Sequence, residues 1–321
     1  LNTKRKKVLK ILIPLLLAIG FGWYMFSKIP ISNIIPYFKT ANYWWVALGV
    51  FFGVLSHLSR AYRWQFQLEP MGYHIKLPNS IMAVFITYIT NYGIPRSGEV
   101  LRAIVLSNYE GVPFEKGFGT IVAERIADML VMLGIIILTL CLQFDFIYGF
   151  LIEKFDPKQV ILAMVSLGVL LLFFLWVVKR GHSKFALKIK AFVNGLIEGS
   201  LSIFKMKKKW AYIFHTLFIW AMYVLMFYVT AFAIDGLENI SFSAAIIAFI
   251  AGSFTIAATN GGLFFYPAAV LGALLLFDLP KDPSYAFGWI IWSSQTFMIF
   301  VLGVLSFMIL PIYNRKRAQK Q

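Results

Sequence analysis

The sequence predicts an all-α polytopic membrane protein, with six spanning helices and two re-entrant hairpins related as an inverted repeat. Three observations carry this reading. Of the 321 residues, 60% are hydrophobic, 17% aromatic and only 14% charged, with a mean hydropathy of +0.76, which lies outside the range of soluble domains. Apolar runs of helical length recur along the whole chain. Lysine and arginine gather at the ends of those runs and give a net charge of +16, the pattern of topogenic charge and not of a nucleic-acid-binding face.

The runs lie at 11–27, 43–59, 80–95, 119–143, 159–178, 211–234, 242–258, 263–277 and 286–310, several of them near the ~20 residues that cross a bilayer. They are continuous and do not alternate. A backbone in lipid must satisfy its own hydrogen bonds, so such runs are expected to be helices and not strands of a barrel. No segment between them is long enough for a soluble domain. The first run has no small-residue cleavage site after it and is expected to stay as a helix. Cys141 is the single cysteine, so no intrachain disulfide forms.

Orientation follows from the charges. Nine crossings would put the basic termini on opposite sides. If 80–106 and 242–277 are instead hairpins that enter and leave on one side, six helices span and both termini face the cytoplasm. The inner side then receives 22 of the 30 basic residues, including Arg60, Arg63 and Lys76, and the outer side receives five, Lys28, Lys39, Lys154, Lys158 and Lys281. That asymmetry is what the positive-inside rule expects of a protein in the cytoplasmic (inner) membrane.

The hairpin tips are legible as well. The first reads Thr90-Asn91-Tyr92-Gly93-Ile94-Pro95 and the second Thr259-Asn260-Gly261-Gly262-Leu263. Glycine supplies unusual φ, so Gly93 and Gly262 are expected to hold conformations that a β-branched residue resists, and Pro95 to open the next helix. The tips match each other at an offset of 169 residues, and Val100–Leu106 matches Val270–Leu276 at 170. Residues 1–143 and 159–310 then each read helix, helix, hairpin, helix. An odd number of spans per half makes the repeat inverted, a transporter architecture with its substrate site near the midplane.

Charge inside the apolar sequence marks the candidate site. Arg96, Glu99 and Arg102 recur every third residue, and Glu124, Arg125 and Asp128 open the next long run. These charges sum to zero, so a self-neutralising network and a hydrated headgroup site both fit them. A helix starting at Pro95 would aim its N–H groups at the tip beside Arg96 and Ser97, which suits a phosphate, while Glu124 and Asp128 suit an amine. Together with Asn91, Asn260, Gly261 and Gly262 these residues form the expected substrate-binding set. His57, His74, His182 and His215 have no metal-ligand spacing and no nucleophile motif occurs, so neither cofactor nor metal is expected. Residues 179–210 form a basic segment whose stretch 184–204 is expected to lie as an amphipathic helix on an anionic inner lipid surface. Trp44, Trp45, Trp210 and Trp289 stand at run ends, as interfacial belt residues do.

The stretch Asn91-x-x-x-Pro95-Arg96-x-Gly98-Glu99-x-x-Arg102, followed by Glu124-Arg125-x-x-Asp128, resembles the flippase-like transmembrane domain of lysylphosphatidylglycerol synthetases and their stand-alone relatives. The Gly261-Gly262 stretch and the segment Gln295 to Pro311 are similar to it too, so the resemblance covers most of the chain. It implies movement of a phospholipid or lipid-linked precursor between leaflets, with Arg96, Glu99, Arg102, Glu124, Arg125 and Asp128 as functional residues. No soluble aminoacyl-transfer domain lies in these residues, so the resemblance does not imply synthetase activity. Pro267 stands where an acidic residue is expected in many relatives. A lipid transporter that is not an enzyme is therefore the expected function. An intramembrane enzyme using Glu99 or Asp128, and a non-transporting scaffold, are the readings set against it.

Overall fold

Residues 20–94, 96–154, 156–180, 187, 206–259 and 261–315 are described by a computed structural model. The N-terminal basic patch, most of the 184–204 segment, Pro95 and Asn260 lie outside the described residues. Regular structure among the described residues is entirely helical.

A helical stretch at 20–28 leads into α1 (Ile31–Thr40), which turns through 89° into α2 (Tyr43–Leu68). Asn42 makes that corner by accepting the Trp44 N–H at 3.1 Å, an N-cap that replaces a missing intrahelical partner. Next come α3 (Leu77–Gly93), α4 (Ser97–Glu110), α5 (Phe114–Leu142), α6 (Phe144–Lys154) and α7 (Pro157–Arg180). They are followed by α8 (Lys209–Ala231), α9 (Phe242–Ala258), α10 (Phe265–Leu275) and α11 (Lys281–Tyr313). By length and apolar composition α5, α8 and α11 can cross a membrane, and α1 with α2 makes a fourth crossing if that bent pair is one span. The helices α1 and α6 were not expected from the apolar runs.

The chain divides into two compact units. One runs from Val122 to Lys209, and the other contains the described residues up to Ile121 together with those from Trp210 onward. In the unit that starts at Val122, α5 leaves Leu130, Leu133, Ile137 and Leu138 exposed, an apolar surface suited to lipid. Asp156 caps α7 by accepting the Lys158 N–H at 2.8 Å.

The other unit holds both helix pairs that the sequence reads as hairpins. Helix α4 folds back along α3. At the open end, Glu110 accepts from the Lys76 N–H at 3.2 Å and from the Asn79 amide. Near the closed end, Gly98 lies so close to the Thr87 carbonyl that a Cβ would collide with it. Helices α9 and α10 pair in the same way, with a Cβ at Gly252 falling 2.6 Å from the Tyr266 ring. Helix α11 is the shared support. Along it, Asn314 exchanges amide hydrogen bonds with Asn79 at 2.8 and 3.0 Å, Gly303 receives Ile89, and Gly288 packs on Pro267 of α10.

The apolar core of this unit is built around α2. Trp64, Leu68, Met82, Ile86, Leu106 and Ile121 pack together, joining α2, α3, α4 and the start of α5. Two expectations are corrected here. Arg60 and Arg63 are 2% and 0% exposed, so they are packed inside the protein and are not exposed charges; α2 extends nine residues past the end of its apolar run and carries both. Trp289 is no belt residue either, because it stacks on Phe26 and meets Phe264 edge-on, whereas Trp44 and Trp210 are exposed as expected.

Because the neighbour at Gly98 is backbone and cannot swing aside, overpacking there should cost about 1–3 kcal/mol. We expect Gly98→Ala to lower the thermal unfolding midpoint in detergent, and Gly134→Ala, where a Cβ meets open space, to leave it unchanged or raise it.

Candidate functional site

The two helix breaks are built alike. In the last turn of α3, the Thr90 hydroxyl donates to the Ile86 carbonyl at 2.6 Å, and in the last turn of α9 the Thr259 hydroxyl donates to the Thr255 carbonyl at 2.6 Å. The residue that precedes the second helix of each pair has a positive φ without being glycine, Arg96 with φ 58° and Phe264 with φ 62°. Such a conformation costs on the order of 1–3 kcal/mol and persists only where its surroundings hold it.

At the first break the surroundings are supplied by Asn91. Its side-chain oxygen accepts the Gly98 N–H at 2.8 Å and its amide donates to Glu99 at 3.2 Å. The Ser97 hydroxyl donates to the Ile94 carbonyl at 2.7 Å. Two expectations change as a result. Helix α4 starts at Ser97 and not at Pro95, and one of its leading N–H groups is already occupied by Asn91. The strained residue is Arg96, because Gly93 does not have positive φ and no atom would crowd a Cβ there.

At the second break Gly261 and Gly262 do have positive φ, 69° and 75°. The Gly262 N–H is taken by the Thr259 hydroxyl at 3.1 Å, and the Gly261 carbonyl accepts from the Trp292 indole at 2.6 Å. The breaks also meet each other. The Tyr92 ring lies where a side chain at Gly261 would be, 2.5 Å from an added Cβ, and its hydroxyl pairs with Thr296 at 3.0 Å. Trp292 and Thr296 both belong to α11, roughly 16 Å from one end and 26 Å from the other at ~1.5 Å per residue. Both breaks therefore touch the middle third of a helix long enough to cross a bilayer.

The charged residues divide between the two units. Arg96 and Glu99 sit at the first break, and Arg102, 1% exposed, stacks its guanidinium 3.8 Å from the centre of the Trp64 ring. Trp64 is itself fixed by a 2.8 Å hydrogen bond from its indole to Thr120. In the unit that starts at Val122, Glu124 and Asp128 are buried and Arg125 reaches them at 3.7 and 3.9 Å. Tyr92, Trp292, Thr296, Trp64, Arg60 and Arg63 were not in the expected set. The polar run Ser293-Ser294-Gln295-Thr296, inside an otherwise apolar helix, is the signal that would have found the α11 contacts.

This is an all-helical integral membrane protein with two paired, broken helices meeting at their tips. The chain belongs to the lysylphosphatidylglycerol synthase transmembrane-region family, whose pattern matches residues 11–303. A UPF0104 membrane protein of Methanocaldococcus jannaschii is 22% identical to it over 308 residues, which cover 85% of this chain and 90% of that protein. The glycosyltransferase AglD of Haloferax volcanii is 30% identical over 105 residues, 32% of this chain but only 17% of the glycosyltransferase. No solved structure matches the chain significantly.

The geometry ranks the tip glycines. Gly261→Ala should lower the unfolding midpoint, since it meets both a positive φ and the Tyr92 ring. Gly93→Ala should leave it unchanged or raise it, because alanine restricts the unfolded chain where the fold imposes no strain. Thermal unfolding of the two variants side by side checks the order.

Proposed function

We propose that this protein is a lipid flippase or related lipid transporter of the cytoplasmic membrane, moving a phospholipid or lipid-linked precursor between leaflets. In this reading six helices span, both termini are cytoplasmic, and the α3–α4 and α9–α10 pairs are re-entrant hairpins from opposite sides. The observation that carries it is the meeting of the two breaks against the middle of α11, at Tyr92 and Gly261. Irregular backbone at membrane depth is tolerated where it is buried in protein or lines a watery cavity, and paired broken helices are a transporter device. Family membership supports the same reading. Buried Arg102, Glu124 and Asp128 favour it further, since ionisable groups inside a membrane protein mark substrate pathways.

An intramembrane enzyme is the alternative that the glycosyltransferase relative brings, with Glu99 or Asp128 as acid or base. The match covers too little of that protein to carry its activity here. The second hairpin separates the two readings, because a transporter needs both halves to move whereas chemistry on Glu99 needs only the first.

Reconstitution into liposomes with headgroup-labelled lipids tests the proposal. Wild-type protein should move label between leaflets faster than empty vesicles. Arg102→Met should fold yet lose roughly tenfold in rate, about 1.4 kcal/mol of barrier. Gly262→Val, at φ 75° and 3.0 Å from Tyr266, should also lose transport. Full transport by a well-folded Gly262→Val protein would argue against the inverted-repeat mechanism, and no lipid movement by the wild-type protein would favour the enzyme reading.

A further inference from the structure

The two breaks match in backbone but differ in what covers them. At the first, Arg96 is exposed, and the support comes from within the hairpin through the 2.8 Å bond of Asn91 to the Gly98 N–H. At the second, Phe264 has φ 62° and ψ −36°, a conformation in which an aromatic residue must be held by its surroundings. Those surroundings include a segment that belongs to neither hairpin, the helical stretch at 20–28. Phe21 stacks on Phe265 with ring centres 4.5 Å apart, and Phe26 meets the Phe264 ring edge-on at 5.9 Å. Gly22 lies so close that an added Cβ would fall 2.8 Å from the Phe264 ring. The contact also reaches the backbone of the break. Phe26 stacks on Trp289 at 5.7 Å, Trp289 packs edge-on against Trp292 at 5.7 Å, and the Trp292 indole donates to the Gly261 carbonyl at 2.6 Å. A ring from the stretch at 20–28 thus backs, through two tryptophans of α11, a hydrogen bond that satisfies the break.

The build of this stretch lets it leave. The end nearest α1 is anchored: Ile29 and Ile34 are buried with Leu271 and Tyr285, and Asn33 of α1 donates to Asp282 of α11 at 3.2 Å. Between the stretch and α1 the helix is interrupted at Ile29 and Pro30, and Pro30 has no N–H to carry it across. That interruption is a hinge with a fixed base. Beyond it the contacts with the break are of another kind. Among the described residues no hydrogen bond or ion pair joins 20–28 to the second break, and only ring faces and edges meet. Apolar contact is non-directional, so it can part without stranding a buried donor or acceptor.

We propose that residues 20–28 are a strap that latches the second break shut, and that the strap must swing away from Phe264 before that break opens. Phe21, Gly22 and Phe26 form the latch, and Ile29 and Pro30 form its hinge. The strap's role as a gate on lipid movement deepens the transport reading and rests on it, whereas the latch on the break stands apart from it.

Amide hydrogen exchange of the full chain in detergent reads the latch without any lipid movement. Phe26→Ala should speed exchange across 261–266 at least roughly tenfold and leave the first break unchanged, because exchange reports local opening segment by segment. If Phe26→Ala does not fold, Phe26→Leu, which keeps apolar bulk and loses the stacked ring, carries the comparison. Equal acceleration at both breaks would mean that the stretch only supports the fold, and would overturn the proposal, as would no acceleration at the second. A disulfide reads the gate. Gly22→Cys with Phe264→Cys in a Cys141→Ser background puts the two thiols within bridging reach, since a Cβ at Gly22 would lie 2.9 Å from the Phe264 Cγ. In liposomes the oxidised protein should move lipid at least roughly tenfold more slowly than the same protein after reduction. Equal rates in the two forms would overturn the strap as a gate. Faster exchange in Phe26→Ala, found for a protein that moves no lipid as wild type, would uphold the latch while refuting transport.

Discussion

Every backbone group exposed by a break in a helix must find a partner, and inside an apolar chain water is not there to supply one. The two breaks of this protein meet that constraint with local side chains. Asn91 takes the Gly98 N–H, Thr259 takes the Gly262 N–H, and Trp292 reaches from α11 to the Gly261 carbonyl. The rest of the larger unit is arranged so that these partners coincide. Helix α11 anchors α3 at Asn79 and Ile89 and packs on α10 at Pro267, so both breaks are delivered to the same stretch of one helix.

The same requirement explains how much of the architecture was legible in the sequence. Helices could be read because apolar runs leave the backbone no alternative. Both breaks could be read because Thr-Asn followed by Gly is out of place in such runs. The particular strained residue could not. Glycine is the natural candidate for positive φ, yet at the first break the strain falls on Arg96, held by a hydrogen bond seven residues apart between Asn91 and Gly98 that local composition does not signal. Bilateral contacts such as Tyr92 on Gly261 need the relative placement of segments about 170 residues apart, and only the repeat hinted at it.

Charge was the least legible property. A lysine or arginine at the end of an apolar run reads as topogenic. Arg60 and Arg63 are nonetheless buried, because α2 continues past its apolar run and α8 presents Thr216 and Tyr223 to receive them. Arg102 is likewise held by an aromatic face. Burying a guanidinium costs several kcal/mol even with good partners, so three in one unit shape how that unit can be used.

The account depends most on the two helix pairs being hairpins that enter from opposite sides. In the larger unit Lys76 and Glu110 are already bonded to each other, which puts both ends of the first pair together. Cysteines placed singly at Leu77, Asn108, Asp278 and Phe242 in a Cys141→Ser background, and labelled with an impermeant maleimide from each side of sealed vesicles, measure the entry side directly. The account predicts that Leu77 and Asn108 react only from the cytoplasmic side, and that Phe242 and Asp278 react only from the other. Reaction of Leu77 and Asn108 from different sides, or of all four from one side, would contradict it.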